Sequence, residues 1–291
     1  MKIQSLLLIL LLISCKNDKP TKIVNEDSKL PIKPEVEETL DNQQSFSEDK
    51  LTADYDKNQQ RKREKLLAIK DKKEQLGDLV TTKTFLKETD DYILDYRYPY
   101  LKEASHPSHK KFNTYIKENY LNIVATENEI LDDKELLCDT LNIKRSMDKR
   151  SIDYKLFSAK ENLISVVLYK ENYYSGTVHS NYGFDCLNFD TNGGEFMTFE
   201  NFFQSNTEIE VLSIINKTIT ANIKDGELFY ECWELSSGDF QVYKNNFVIN
   251  DTLLTFYFDD CIVCPSFTGT YAIDIPIQNF KTLLKKDNFL L

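Results

Sequence analysis

Beyond Cys15, the chain carries Cys138, Cys186, Cys232, Cys261 and Cys264. Cys261-Ile262-Val263-Cys264 is the spacing with the most chemical potential. A zinc site would need a second pair of ligands, yet the other cysteines stand singly and no histidine lies near them in sequence. A thioredoxin-like redox site would open a helix after a strand. Here Pro265 follows and the next element reads as a strand. The expectation is therefore a structural disulfide. At least one of Cys261 and Cys264 should be bridged, with Cys232 in the same C-terminal half as the favoured distant partner.

The other candidates are weaker still. His179 lies between two strand-like segments, and a general base there would need an acid and a nucleophile held beside it. His106 and His109 flank Pro107 and read as surface residues. Asp259-Asp260 is a carboxylate pair of the kind usually left to solvent. Asp190-Thr191-Asn192 with Glu195 has the flavour of a calcium loop, but it is short and Gly193-Gly194 suits a hairpin better. The sequence carries no nucleophile elbow, zinc-protease helix, phosphate-binding loop or dinucleotide fingerprint. The reading is not an enzyme, with no cofactor and no metal.

The elements that would hold such residues are readable from periodicity. Hydrophobic residues make up 41% of 291, enough for a sizeable core. Val80, Thr82, Thr84 and Leu86 alternate with polar residues, as do Tyr92, Leu94, Tyr96 and Tyr98, with Asp90-Asp91 as the turn between. Phe112, Tyr115, Ile116, Tyr120 and Ile123 fall at helical spacing after a possible N-cap, Ser108. The segment 131–150 is charged and ambiguous. Strands are expected at 152–157, 163–173, 182–189, 247–249, 253–258 and 271–275. A helix is expected over 206–223 on Ile209, Leu212, Ile215, Ile219 and Ile223, and a short last helix from Pro276 to Leu284. Strands and helices do not alternate strictly. This predicts an α+β fold: an antiparallel sheet packed with helices, in two subdomains at 79–150 and 151–291.

The N-terminus sets the expected location. Leu6 to Ile13 are eight consecutive apolar residues, signal-peptide length rather than a membrane span. They lead into Leu12-Ile13-Ser14-Cys15, which resembles a bacterial lipobox, so cleavage after residue 14 would leave an acylated Cys15. Acyl chains anchor firmly, at about 0.8 kcal/mol per buried CH₂. Lys16-Asn17-Asp18 resembles the export signal that sends some Bacteroidetes lipoproteins to the outer face, which implies the outer membrane or cell surface. Residues 15–50, with Pro20, Pro31 and Pro34, read as a disordered tether. Residues 51–78 read as a solvated stalk helix, with eight basic residues between Lys57 and Lys73 against Glu64 and Asp71.

Charge narrows the partners. The chain carries 36 basic and 47 acidic residues, net −11. Losing Lys2 with the signal leaves 35 against 47, or −12. A general nucleic-acid binder would present a basic face, so no nucleic-acid partner is expected.

A family resemblance covers about residues 80–288. Tyr173-Tyr174-Ser175-Gly176-Thr177-Val178-His179 closes one strand, a second strand follows, and then come Gly194 and Met197-Thr198-Phe199-Glu200-Asn201-Phe202-Phe203. This resembles the extracellular domain of RsiV-type anti-sigma factors, which also occurs beside the catalytic module of PdaC-type peptidoglycan deacetylases. Phe256-Tyr257-Phe258, Pro265-Ser266-Phe267-Thr268-Gly269 and Ile273-Asp274-Ile275-Pro276 resemble its strand, proline–glycine loop and strand end. Tyr92 to Pro99 and the helix after Ser108 resemble the companion N-terminal subdomain. Thr177 and Val178 replace the family's Gly-Ala, and no anti-sigma segment or deacetylase module is present. The resemblance therefore implies a non-enzymatic ligand-binding half, which in RsiV-type sensors recognises lysozyme. The candidate contact surface is then the loops 173–182 and 259–269, with Tyr173, Tyr174, Gly176, His179, Asp259, Asp260, Pro265, Ser266 and Phe267. Lysozyme or another cationic protein is the expected partner, with peptidoglycan or another glycan, or an unrecognised hydrolase using His179, as rivals.

Overall fold

The computed structural model describes residues 79–136, 147–160, 162–175, 177 and 179–285. The signal, Cys15, the tether, the stalk, Cys138, Gly176 and Val178 lie outside the described residues. Two sheets carry the fold, and it is α+β. The larger has six strands in chain order: β1 (Val80–Glu88), β2 (Tyr92–Leu101), β3 (Asp148–Lys160), β4 (Leu163–Tyr173), β5 (Asn181–Asp190) and β6 (Glu195–Met197). The smaller joins β7 (Phe247–Ile249), β8 (Leu253–Tyr257) and β9 (Ala272–Pro276). The helices are α1 (His109–Tyr120), α2 (Ile123–Leu136), α3 (Phe199–Phe202), α4 (Glu208–Lys224) and α5 (Ser237–Tyr243). None of the described helices is long and apolar enough to cross a membrane.

The layers follow from strand alternation. On β4, Ile164, Val166 and Leu168 face Phe112 and Ile116 of α1 and Ile130 of α2. Val167 and Tyr169 point the other way, onto Val248, Tyr257 and Tyr271 of the small sheet and its flank. The far side of the small sheet, through Phe247, Leu254, Phe256, Ile273 and Ile275, buries Val211, Ile215 and Ile219 of α4. The order is helix, sheet, sheet, helix. Covered on both faces, β4 can be buried without a break from Leu163 to Tyr169, apolar except at Ser165, rather than alternating. A buried polar bridge fixes the two sheets: the Ser165 hydroxyl donates to Asn188 Oδ1 (2.7 Å) and accepts from Ile249 N–H (2.8 Å), and Asn188 Nδ2 donates to the Phe247 carbonyl (2.8 Å).

Six expectations need correction. The large sheet is mixed, because β2 pairs with β3 in parallel while its other pairings are antiparallel. The chain can make that crossover because α1 and α2 intervene. β3 spans the expected boundary at residue 150, so the two expected subdomains share one sheet. Ser108 is not a capping side chain. Its backbone is helical, and its hydroxyl donates instead to the Thr191 carbonyl (2.6 Å). His109 is buried rather than superficial, with Nδ1 2.6 Å from the Lys102 carbonyl. On α4 the buried stripe is Val211, Ile215 and Ile219, and Ile209 in the first turn is exposed. The final helix reduces to a 3-10 turn, Ile277–Phe280.

Several local expectations hold. Gly194 sits at φ 66° and its N–H closes onto the Asp190 carbonyl (2.8 Å), while Asp190 Oδ1 accepts from Asn192 N–H (2.9 Å). The 190–194 segment is thus a hairpin turn, and that carboxylate oxygen is occupied by the turn itself. Cys232 and Cys264 form a disulfide, 32 residues apart, and Cys261 keeps an exposed thiol.

Candidate functional site

Strand β5 has an edge problem, and its solution builds the first site. The short β6 pairs only with residues 188–190 of β5, leaving the backbone of residues 182–186 without a strand on that side. Side chains cover it instead. Asn246 Oδ1 accepts from Cys186 N–H (2.7 Å), and its Nδ2 donates to the carbonyls of Phe184 (2.8 Å) and Tyr257 (2.9 Å). Asp259 Oδ1 accepts from Phe184 N–H (2.8 Å), and Asp260 N–H donates to the Tyr182 carbonyl (3.2 Å). Asp259 Oδ2 also accepts from the Tyr243 hydroxyl (3.1 Å). The carboxylate pair seen in the sequence is thus an edge clamp.

Alongside this clamped edge runs a groove of about 670 Å³, bounded by α1 and α2 on one side and the end of α5 on the other. Tyr115 and Tyr120 of α1, Tyr174 after β4 and Tyr243 of α5 supply half-buried rings. Lys170 and Asp185 form an ion pair across β4 and β5 (2.8 Å). Burial, reinforced by Asp185, pushes the Tyr120 phenol well above its ordinary range, so it is a neutral donor. Burial and then Asp259 do the same for Tyr243. Cys186 lines the groove as well, and burial, with Asp185 and Asp259 beside it, raises its thiol. Arg150 completes the lining. It is buried, its guanidinium lies 4.0 Å from the centre of the Tyr174 ring, and Nη1 donates to the Tyr173 carbonyl (2.9 Å). The loop after β4 is held by the Ser175 N–H donating to Asp148 and by Ser180 Oγ donating to Glu171 (3.1 Å).

The second site is a disulfide-pinned platform. Tyr230 and Phe267 are 73% and 64% exposed, Trp233 is 42% exposed, and Phe229 packs between the first two. The Phe267 ring meets Phe229 edge-on at 5.2 Å, and Phe229 meets Tyr230 at 4.3 Å. The Cys232–Cys264 bond ties the segment bearing Tyr230 and Trp233 to the segment bearing Phe267. Trp233 N–H donates to the Val263 carbonyl (2.9 Å) and its indole N–H to the Ile262 carbonyl (2.8 Å). Pro265 opens the 3-10 turn Ser266–Thr268, which Gly269 closes at φ 64°. The platform is acidic. Residues 225–234, which carry Tyr230 and Trp233, hold Asp225, Glu227, Glu231 and Glu234 and no Lys or Arg.

Of the residues expected to form one contact surface, Tyr174 and Asp259 line the groove, while Phe267 belongs to the platform with Pro265 and Ser266 in its turn. Tyr173 is half-buried at the end of β4, Asp260 braces β5, and His179 is exposed outside the groove lining. Sequence reasoning missed Arg150, Tyr120, Tyr243, Tyr230 and Trp233. The platform had a readable signal, four acids and three aromatics packed around Cys232 with no balancing base.

Comparison with solved structures bears on the fold. The chain superposes on a DUF3298 family protein from Bacteroides fragilis with a TM-score of 0.51 at 13% identity, over 72% of this chain and 94% of that one. The fold is similar to that of a DUF3298 protein. DUF3298 is the family of the RsiV-type domain, so the resemblance drawn from the 173–203 and 256–276 segments holds at the level of fold. A DUF3298 family protein from Pseudomonas aeruginosa gives a TM-score of 0.49 at 11% identity, over 71% of this chain and 93% of that one. No known family model matches the sequence, and no curated protein matches it.

Proposed function

We propose that this is a non-enzymatic binding domain of a bacterial envelope lipoprotein, anchored through an acylated Cys15, which captures a basic protein such as a c-type lysozyme. The observation that supports it is the platform of exposed Tyr230, Trp233 and Phe267 set among acidic residues. Exposed aromatic clusters on an otherwise well-covered domain mark interaction surfaces. The disulfide and the Pro265 turn hold the rings in place before binding, which lowers the ordering cost. The acidic surround speeds approach of a cationic partner and rejects an anionic one.

Calorimetry at low salt with the full chain and a c-type lysozyme tests the reading. Saturable binding that weakens with added salt and is lost in a folded Tyr230→Ala/Phe267→Ala variant supports it. Absence of heat, or equal heat from both proteins, refutes it. Mass spectrometry of the mature N-terminus tests the anchor separately, and an unmodified Cys15 would remove it.

A further inference from the structure

The groove beside β5 is separate from the platform and contains an unanswered donor. Arg150 is 5% exposed, and its Nη2 has no hydrogen-bond partner among the described residues; its ion pair with Asp148 Oδ2 is long, at 4.0 Å. Leaving a buried guanidinium nitrogen unanswered is costly, and such groups in native proteins generally await a partner. The other charged groups of the groove are largely committed: Asp185 to Lys170, and Asp259 to Phe184 N–H and the Tyr243 hydroxyl.

The surroundings select the acceptor. Glu129, Asp185 and Asp259 line the same groove and Asp148 stands behind Arg150, so a carboxylate ligand would enter against several like charges. A neutral carbonyl oxygen accepts from Nη2 without that repulsion. Half-buried tyrosine rings offer flat apolar faces of the size of a pyranose ring, and Asn119, Asn172 and Asn245 add amide groups for hydroxyls. A neutral sugar bearing an amide carbonyl meets all three conditions.

We infer that this groove is a binding site for an N-acetylated glycan, with an acetamido carbonyl accepting from Arg150 Nη2 and sugar faces resting on Tyr174 and Tyr115. Because Nη2 is itself inaccessible and the Tyr174 ring covers the guanidinium, the contact forms as that ring shifts, directly or through one bridging water. Chitin-type oligosaccharides meet these conditions without charge, whereas each N-acetylmuramic acid of a peptide-free peptidoglycan strand adds a lactyl carboxylate that the groove's acids disfavour.

Titration calorimetry of the full chain with N-acetylchitotetraose, with cellotetraose and with peptide-free peptidoglycan strands tests the assignment. Cellotetraose has the same backbone linkage and no acetamido group. The expected result is saturable binding of N-acetylchitotetraose, with the charged peptidoglycan strands weaker and cellotetraose weaker by about tenfold or more. Tighter binding of the peptidoglycan strands than of N-acetylchitotetraose would refute the selection of a neutral ligand. Arg150→Lys, which keeps the charge and loses the fork, should weaken the acetylated ligand by a similar factor, as should Tyr174→Ala at the rim. Thermal unfolding checks that each variant is folded, and if Arg150→Lys is not, Tyr174→Ala decides. Absence of N-acetylchitotetraose binding, equal binding of cellotetraose, or full binding by folded variants overturns the inference.

Discussion

Asn246 does for β5 what a neighbouring strand would do, and its removal should be felt across the domain. Its amide makes three bonds to main-chain groups: Cys186 N–H, the Phe184 carbonyl and the Tyr257 carbonyl. Each contributes about 0.5–1.5 kcal/mol net, so Asn246→Ala should cost about 2–4 kcal/mol. With a urea dependence of about 2 kcal/mol per molar, within the usual range, the unfolding midpoint should fall by about 1–2 M at unchanged slope. Asn246→Asp is the sharper variant. It keeps the acceptor for Cys186 N–H but turns a carboxylate oxygen towards two carbonyls, so it should be no more stable than the alanine. Hydrogen exchange at the Cys186 amide, which loses its acceptor, should quicken before the rest of the sheet opens. A loss below about 0.5 kcal/mol, or an aspartate variant as stable as wild type, would refute the edge-clamp argument.

Three further outcomes are expected. Cys232→Ser/Cys264→Ser frees a loop of 32 residues' separation and should cost about 3–4 kcal/mol in chemical denaturation, and a loss under about 1 kcal/mol would contradict the bridge. In the native protein at neutral pH a thiol reagent should label exposed Cys261 rapidly and Cys186 slowly, with Cys186 speeding only at alkaline pH because burial raises its thiol; equal labelling rates would argue against the clamped edge. Burial raises Tyr120, Tyr257 and Tyr271 above the ordinary phenol range, so these stay protonated in the fold while the unfolded chain ionises near pH 10. Stability should therefore hold below about pH 10 and fall above it, by up to about 1.4 kcal/mol per pH unit for each tyrosine. Tyr271→Phe should shallow that fall, and a flat profile to pH 11 would count against it.

The sequence was most legible where one short-range pattern decided the outcome. Leu163–Tyr173 and Phe247–Ile249 match their expected bounds because runs of β-branched and aromatic residues admit little else, and Cys232 found Cys264 as the compartment argument suggested. Legibility failed where partners are distant. Nothing local to Tyr92 or Asp148 says that their strands run parallel. On α4, apolar residues crowd more than one face, so Ile209 passed as core until the small sheet chose Val211 instead. The groove was invisible for the same reason. Its lining comes from β2 to β5, α1, α2 and the α5–β7 segment, and Arg150 stood in a stretch that read only as charged. An orphaned donor is a property of three-dimensional packing, and no spacing encodes it.

The parallel pairing of β2 with β3 also orders events in time. Strands β3 to β6 form a meander whose neighbours are consecutive in the chain, so they can zip by short loops. The β1–β2 hairpin is equally local, but it joins the meander only when the whole stretch from Leu101 to Asp148 has closed into a crossover. Loop closure of that length is an entropic toll met before its contacts form. The meander around β4 is therefore expected to form first, with the hairpin docking late. Substitutions at Val166 or Leu187 should slow folding, whereas those at Val80 or Leu94 should chiefly hasten unfolding.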